Sequence, residues 1–138
     1  MNDKTIETEI QSKGLTAPRI TTQDVAAEIV SEHFFSALEG AYSDGAVNLG
    51  DTKKAVVSLP LLTICVLVLE NGFTVTGESA CASPENFDAD IGRKIAREKA
   101  VEKIWPLLGF RLRDFLADQA DEAEDEAASA LAAPEYQA

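Results

Sequence analysis

The chain has one histidine, two cysteines, one methionine and one tryptophan in 138 residues. Cys65 and Cys81 form no close pair with each other or with His33. The usual structural zinc spacings are therefore missing, and no disulfide framework can be built. Basic residues are also few: twelve, against twenty-four acids, for a formal net charge of −12. That balance argues against a protein whose whole surface grips DNA or an anionic membrane. No apolar run approaches the ~20 residues of a membrane-spanning helix. The longest, Leu59 to Leu69, is interrupted by Pro60 and Thr63. The first fifteen residues are polar and lack the apolar core of a secretory leader. Phosphate-binding P-loop, dinucleotide glycine fingerprint, HExxH and nucleophile elbow are all absent. These absences point to one domain in a reducing compartment, with no cofactor or metal. Binding is a better class for it than conventional enzymology.

What is present is unevenly distributed. An apolar content of 46% is normal for a globular chain. Seven of the twelve bases lie between Arg93 and Arg113, opposed there by only Glu98 and Glu102. This stretch is +5, and the remainder of the chain is −17. From Asp114 to Ala138 there are eight acids and no base. The domain is expected over residues 20–118, preceded by a flexible arm (1–19) and followed by an acidic, alanine-rich tail (119–138). The first part of the tail is expected to extend a helix, because alanine and glutamate favour one. Its end has too little apolar surface to pack and is expected to be mobile.

Within the domain, Thr21 or Thr22 can cap a helix with Asp24 in its first turn. Val25, Ala26, Ile29, Val30, Phe34 and Leu38 continue the helical spacing up to Gly40. Residues 41–58 read as a loop. Leu61–Glu70 and Phe73–Thr76 flank Asn71-Gly72, a strong signal for a hairpin whose central residues take positive φ. The first of these strands lacks alternation, as if covered on both faces by helices or by another subunit. Gly77–Phe87 reads as a small-residue loop. Asp88 then caps a helix running to about Trp105, and Pro106 opens another that Gly109 threatens to break. The expected class is α+β: an N-terminal helix, an antiparallel hairpin or meander, a helical C-terminal half and the acidic tail.

Two features could carry chemistry. On the helix after Asp88, Ile91, Ile95 and Trp105 share one arc, which Val101 and Ile104 widen. Lys94 and Arg97 fall inside that sector and Arg93 at its edge. Arginines at i, i+4 present two donor forks that suit phosphate oxygens. The plainer reading pairs them with the protein's own carboxylates. In Gly77–Phe87, small side chains such as Ser79 allow a ligand close to the backbone. Asn86 can recognise an amide or base edge, and Phe87 can stack on a ring. The plainer reading makes Phe87 a hydrophobic staple on Ile91. His33, Cys65 and Cys81 read as structural.

Several strings in this chain are uncommon. They are Leu61 to Leu67, Asn71 to Cys81, Asn86-Phe87-Asp88, Ile91 to Arg97 and Lys103 to Pro106. Together they resemble a family of small proteins of N-four-like and Sf-six-like tailed phages and prophages, across about residues 20–116. That family looks like the one containing the anti-Thoeris sponges, which bind cyclic ADP-ribose isomers without turnover. The resemblance implies a protein of the host cytoplasm, a homodimer or higher homo-oligomer, and a cyclic nucleotide signal held near subunit interfaces. By chemical type and nearness to the shared strings, the ligand-binding candidates are Phe73, Ser79, Asn86, Phe87, Arg93 and Arg97. Two alternatives remain. One is a phage interaction protein that docks a host or phage protein through the basic helix 93–103. The other is a nucleic-acid-binding accessory protein, which the net charge disfavours.

Overall fold

The computed structural model describes residues 3–15 and 17–132. Helix α1 (Asp3–Ser12) and helix α2 (Thr22–Glu28) precede strand β1 (Ile29–Ser36). Short helices α3 (Ala37–Ala41) and α4 (Lys53–Ser58) lead to β2 (Leu62–Leu69) and β3 (Thr74–Ala80). Helices α5 (Ala89–Glu102) and α6 (Ile104–Ala132) complete the chain. The three strands form one antiparallel sheet in the order β1-β2-β3. The fold is α+β, as expected.

The first helix is shorter than its spacing predicts. Thr21 caps it through a full capping box: Thr21 Oγ1 accepts the Asp24 N–H, and an Asp24 carboxylate oxygen accepts the Thr21 N–H. Yet the helix stops at Glu28, and Ile29 to Ser36 become a strand. β-Branched Ile29 and Val30 and the aromatic Phe34 and Phe35 suit a pleated surface, and β2 supplies the ladder that an isolated helix cannot match. Thr21→Ala should cost about 1 kcal/mol in a denaturant melt, because it removes the hydroxyl that accepts the Asp24 N–H, while the backbone N–H of residue 21 keeps its bond to the Asp24 carboxylate.

The segment expected to be a loose arm contains α1. Arg19 ties this helix down with two parallel hydrogen bonds, Nη1 to Glu7 Oε2 at 2.8 Å and Nη2 to Oε1 at 2.7 Å. Arg19 holds the Glu7 carboxyl down at about 2, against an ordinary 4.5. With the folded value depressed, the tie is complete above the ordinary carboxylate range and is lost as pH falls toward 2. Amide exchange in α1 should therefore accelerate on acidification through that window. Glu7→Gln should show the fast rate already at neutral pH.

The hairpin stands where Asn71-Gly72 predicts it, with a different turn. Leu69 and Phe73 close a three-residue loop, in which the Leu69 N–H donates to the Phe73 carbonyl at 2.8 Å. Only Gly72 has positive φ, at 87°, and Asn71 Oδ1 accepts the Phe73 N–H at 3.0 Å. This is the three-residue loop with a left-handed glycine, not the two-residue turn with two positive φ values. The strand also runs on to Ala80, so the first four residues of the expected small-residue loop, Gly77 to Ala80, are part of β3.

The core lies between the sheet and α5. Thr63, Cys65, Leu67 and Leu69 of β2 alternate with half-buried Leu62, Ile64, Val66 and Val68. Val75, Gly77 and Ser79 continue the buried face on β3. Gly92, Ala96 and Ala100 of α5 lie against it, joined by Ile104 and Leu108 of α6 and Val25 of α2. Ile91 and Ile95, expected on the packed arc, are 56% and 38% exposed. The reason is close approach: a Cβ on Gly77 would sit 2.1 Å from the Ala96 carbonyl oxygen and 2.4 Å from the Ala100 nitrogen. Only small residues fit a helix that near the sheet. Burial alternates along β2 because α5 covers one face, while Leu62, Ile64, Val66 and Val68 on the other are half-buried within the single chain. Helix α6 continues through Gly109, and the sequence beyond Ala132 lies outside the described residues. Across the molecule, Arg111 forks onto Glu28 with two bonds of 3.0 Å and holds the Glu28 carboxyl below its ordinary range, linking α6 to α2.

Candidate functional site

The end of β1, the start of α3 and the entry to α5 meet around a cavity of about 360 Å³. Its aromatic lining is Phe34, Phe35 and Phe87, and Arg93 supplies its positive charge. Pro60 and Thr63 complete one wall, and Ala89 of α5 another. Ser36 and Glu39, also lining it, are fixed by the capping box of α3. Ser36 Oγ accepts the Glu39 N–H at 3.1 Å, and Glu39 Oε1 accepts the Ser36 N–H at 3.3 Å. Asp88 caps α5 by accepting the Ile91 N–H at 3.0 Å, which sets the direction in which the helix carries Arg93. The Phe87 ring reaches over Gly92, 4.0 Å from where a Cβ would stand, so the missing side chain there leaves room for it.

Two of the six sequence candidates, Phe87 and Arg93, are thus brought together. Asn86 is their neighbour on the 3₁₀ turn Pro84–Asn86 and is exposed. The other three are elsewhere. Phe73 sits beside the hairpin turn, 55% exposed. Ser79 is buried on the α5 face of β3, opposite Thr63 in the ladder. Arg97 lines a separate small hollow with Val25, Ile29, Val101 and Trp105. Both arginines have carboxylate partners: Arg93 Nη2 donates to Asp90 Oδ1 at 2.6 Å, and Arg97 Nε donates to Glu32 across the sheet edge.

Phe34, Phe35, Ser36 and Glu39 were missed because their segment reads as helix. The adjacent aromatic pair was the available sign of a strand. The cysteines play no part in this cavity's lining. Burial pushes the Cys65 thiol up, which disfavours its reactive thiolate, and Cys81 Sγ donates to the Ser83 carbonyl at 3.1 Å. His33 is exposed on β1, its Nε2 3.0 Å from Ser31 Oγ. A larger cleft of about 1220 Å³ opens between α1, α5 and α6, rimmed by Asp3, Glu7, Glu98 and Glu102. Its acidic rim suits no anion. No described helix is long and apolar enough to cross a membrane.

A three-stranded antiparallel sheet, one closely packed helix and an aromatic–arginine cavity at their edge define a small α+β protein. The chain belongs to the phage protein (N4 Gp49/phage Sf6 gene 66) family, whose model matches residues 20–116. No curated protein and no solved structure matches it.

Proposed function

We propose that this phage-family protein is an anti-defence protein that binds and sequesters a cyclic nucleotide signal of the cyclic ADP-ribose type, without turnover. The observation that carries the reading is the convergence of Phe34, Phe35, Phe87 and Arg93 on one cavity. Its volume, about 360 Å³, lies at the lower end of the range for small-molecule sites. The aromatic rings offer stacking surfaces for a base, and the guanidinium offers a fork for a phosphate. The Arg93–Asp90 pair is exposed and joins neighbouring turns of one helix. Such pairs are worth under about 1 kcal/mol, so a phosphate can displace the aspartate at small cost. Sequestration then works by mass action, since enough tight sites hold the free signal below the threshold of its effector.

Self-association belongs to the same reading. The sheet face opposite α5 presents Leu62, Ile64, Val66 and Val68, all apolar and half-buried. Val47 and Leu49, in the connection between α3 and α4, are 81% and 87% exposed. These side chains are an apolar surface for a homodimer or higher homo-oligomer. The test is incubation with cyclic ADP-ribose isomers and cyclic di- and trinucleotides, followed by thermal melting and recovery of the ligand after heating. One nucleotide should raise the melting temperature and be released intact. No shift with any of them, or release of a cleaved product, overturns the reading.

A further inference from the structure

Helix α1 has an apolar side that the described chain covers only in part. Ile6 and Ile10 lie one turn apart on it, yet no residue of the helix is buried, and Ile6 is 41% exposed. Both line the cleft of about 1220 Å³ between α1, α5 and α6. Asp3 and Glu7 line it beside them, so this wall presents acid, isoleucine, acid, isoleucine at positions 3, 6, 7 and 10. The other wall repeats that spacing. Glu98, Val101 and Glu102 of α5 are followed by Trp105 in the first turn of α6. Steps of three and four keep such residues on one side of a helix.

The charge of the cleft is one-sided. Among the described residues, four carboxylates line it against a single ammonium, that of Lys4. Glu7 is forked by Arg19, whereas Asp3, Glu98 and Glu102 have no ion pair among the described residues. Arg97, next to Glu98 in the chain, donates to Glu32 and lines the adjoining hollow instead. Carboxylates on both walls focus a negative potential into the cleft, which a cationic occupant relieves. A polyamine would satisfy the carboxylates but leave the exposed parts of Ile6, Ile10, Val101 and Trp105 in water. An acidic helix is repelled. An extended peptide would need a strand edge for its backbone, and no strand residue belongs to the described lining. A helix with its own apolar stripe meets both demands, because two apolar helix sides with a cleft between them accept a third.

We propose that this cleft is a docking groove for a basic amphipathic helix of another protein, with aliphatic side chains along one side and lysine or arginine flanking them. The aliphatic stripe packs on Ile6, Ile10, Val101 and Trp105, and the flanking cations meet Asp3, Glu98 and Glu102. Asp3 to Ile10 spans about 10 Å of helix axis, so the wall reads about two turns of the partner. The groove shares no lining residue with the aromatic–arginine cavity. Its α1 wall lies outside the family-matched residues 20–116.

Trp105 is the chain's single tryptophan, so its fluorescence reports on the groove directly. The probe is a synthetic helix of about fourteen residues, roughly 21 Å long, with leucines on one side and lysines on the other. A scrambled peptide of the same composition is its control. Titrated into the full chain, the probe should shift Trp105 emission to the blue and saturate, more weakly as salt rises. Glu98→Lys with Glu102→Lys should weaken binding by about tenfold or more, and so should Ile6→Asp on the opposite wall. Asp121→Lys with Glu122→Lys makes the same charge change on the exposed end of α6 and should alter affinity by less than about threefold. Thermal melts show that each variant is folded. The proposal is overturned if the probe gives no saturable shift, or if the scrambled peptide binds equally well. It is also overturned if the two charge reversals weaken binding equally, or if Ile6→Asp leaves it unchanged. Spermine reproducing the shift and displacing the probe would make this a small-cation site and overturn the helix assignment. Cyclic nucleotide binding is measured apart and bears on none of these outcomes.

Discussion

Gly77→Ala is expected to destabilise the protein by about 3 kcal/mol or more, although it adds a single methyl group. Propensity alone gives the opposite sign, since removing a glycine from a strand interior gains roughly 0.5–1 kcal/mol. Sterics decide. The new Cβ would stand 2.1 Å from the Ala96 oxygen and 2.4 Å from the Ala100 nitrogen, both backbone atoms that no rotamer change can move. Helix α5 would have to lift from β3, loosening Ala96 and Ala100, both fully buried. Measured against the ~5–15 kcal/mol that holds a typical domain together, that is a large fraction. Gly109→Ala is the matched control, because a Cβ there meets nothing within 4 Å. It should gain about 0.5–1 kcal/mol from helix propensity. Urea unfolding of the two variants reads both signs, and a stabilising Gly77→Ala would show that α5 does not lie this close to the sheet.

The same glycine shows where the sequence could be read and where it could not. The hairpin was legible because Asn71-Gly72 acts locally: the turn needs one left-handed residue, and glycine supplies it. Asp88 and Thr21 were legible as caps for the same local reason. The packed face of α5 was not, because it consists of Gly92, Ala96 and Ala100, while large apolar side chains drew attention to Ile91 and Ile95. Small residues bury little apolar area, and their role becomes visible only when the facing strand has a glycine too. Gly77, whose small size read as ligand access, is where α5 comes closest to the sheet. Strand β1 was hidden for another reason. Ile29 to Phe35 fit a helical stripe as well as a strand, and the deciding partner, β2, lies some thirty residues further on. That one misreading removed Phe34, Phe35, Ser36 and Glu39 from the candidate site, whereas Phe87 and Arg93, next to a legible cap, were found.

Arg93→Glu is expected to weaken nucleotide binding by about 30- to 1000-fold. A charge-assisted bond to phosphate is worth roughly 1.5–3 kcal/mol, and the introduced carboxylate adds repulsion, at about 1.4 kcal/mol per tenfold. Phe87→Ala should cost about tenfold or somewhat more, the range for losing one base–aromatic stack. Arg97→Glu separates the cavity from a general effect of positive charge on this helix. Arg97 lines a different hollow and donates to Glu32, so its reversal sets two carboxylates against each other at the sheet edge. Its expected cost falls on the stability of the β1–α5 contact, with affinity changed by less than about tenfold at partial screening. Isothermal titration with the nucleotide that stabilises the wild type, alongside a denaturant melt of each variant, separates these effects. If Arg93→Glu and Arg97→Glu lose affinity equally, the ligand is drawn by the charge of the whole helix and the cavity is not its site. If only Arg93→Glu and Phe87→Ala lose it, the aromatic–arginine cavity holds the ligand and Arg97 serves the fold.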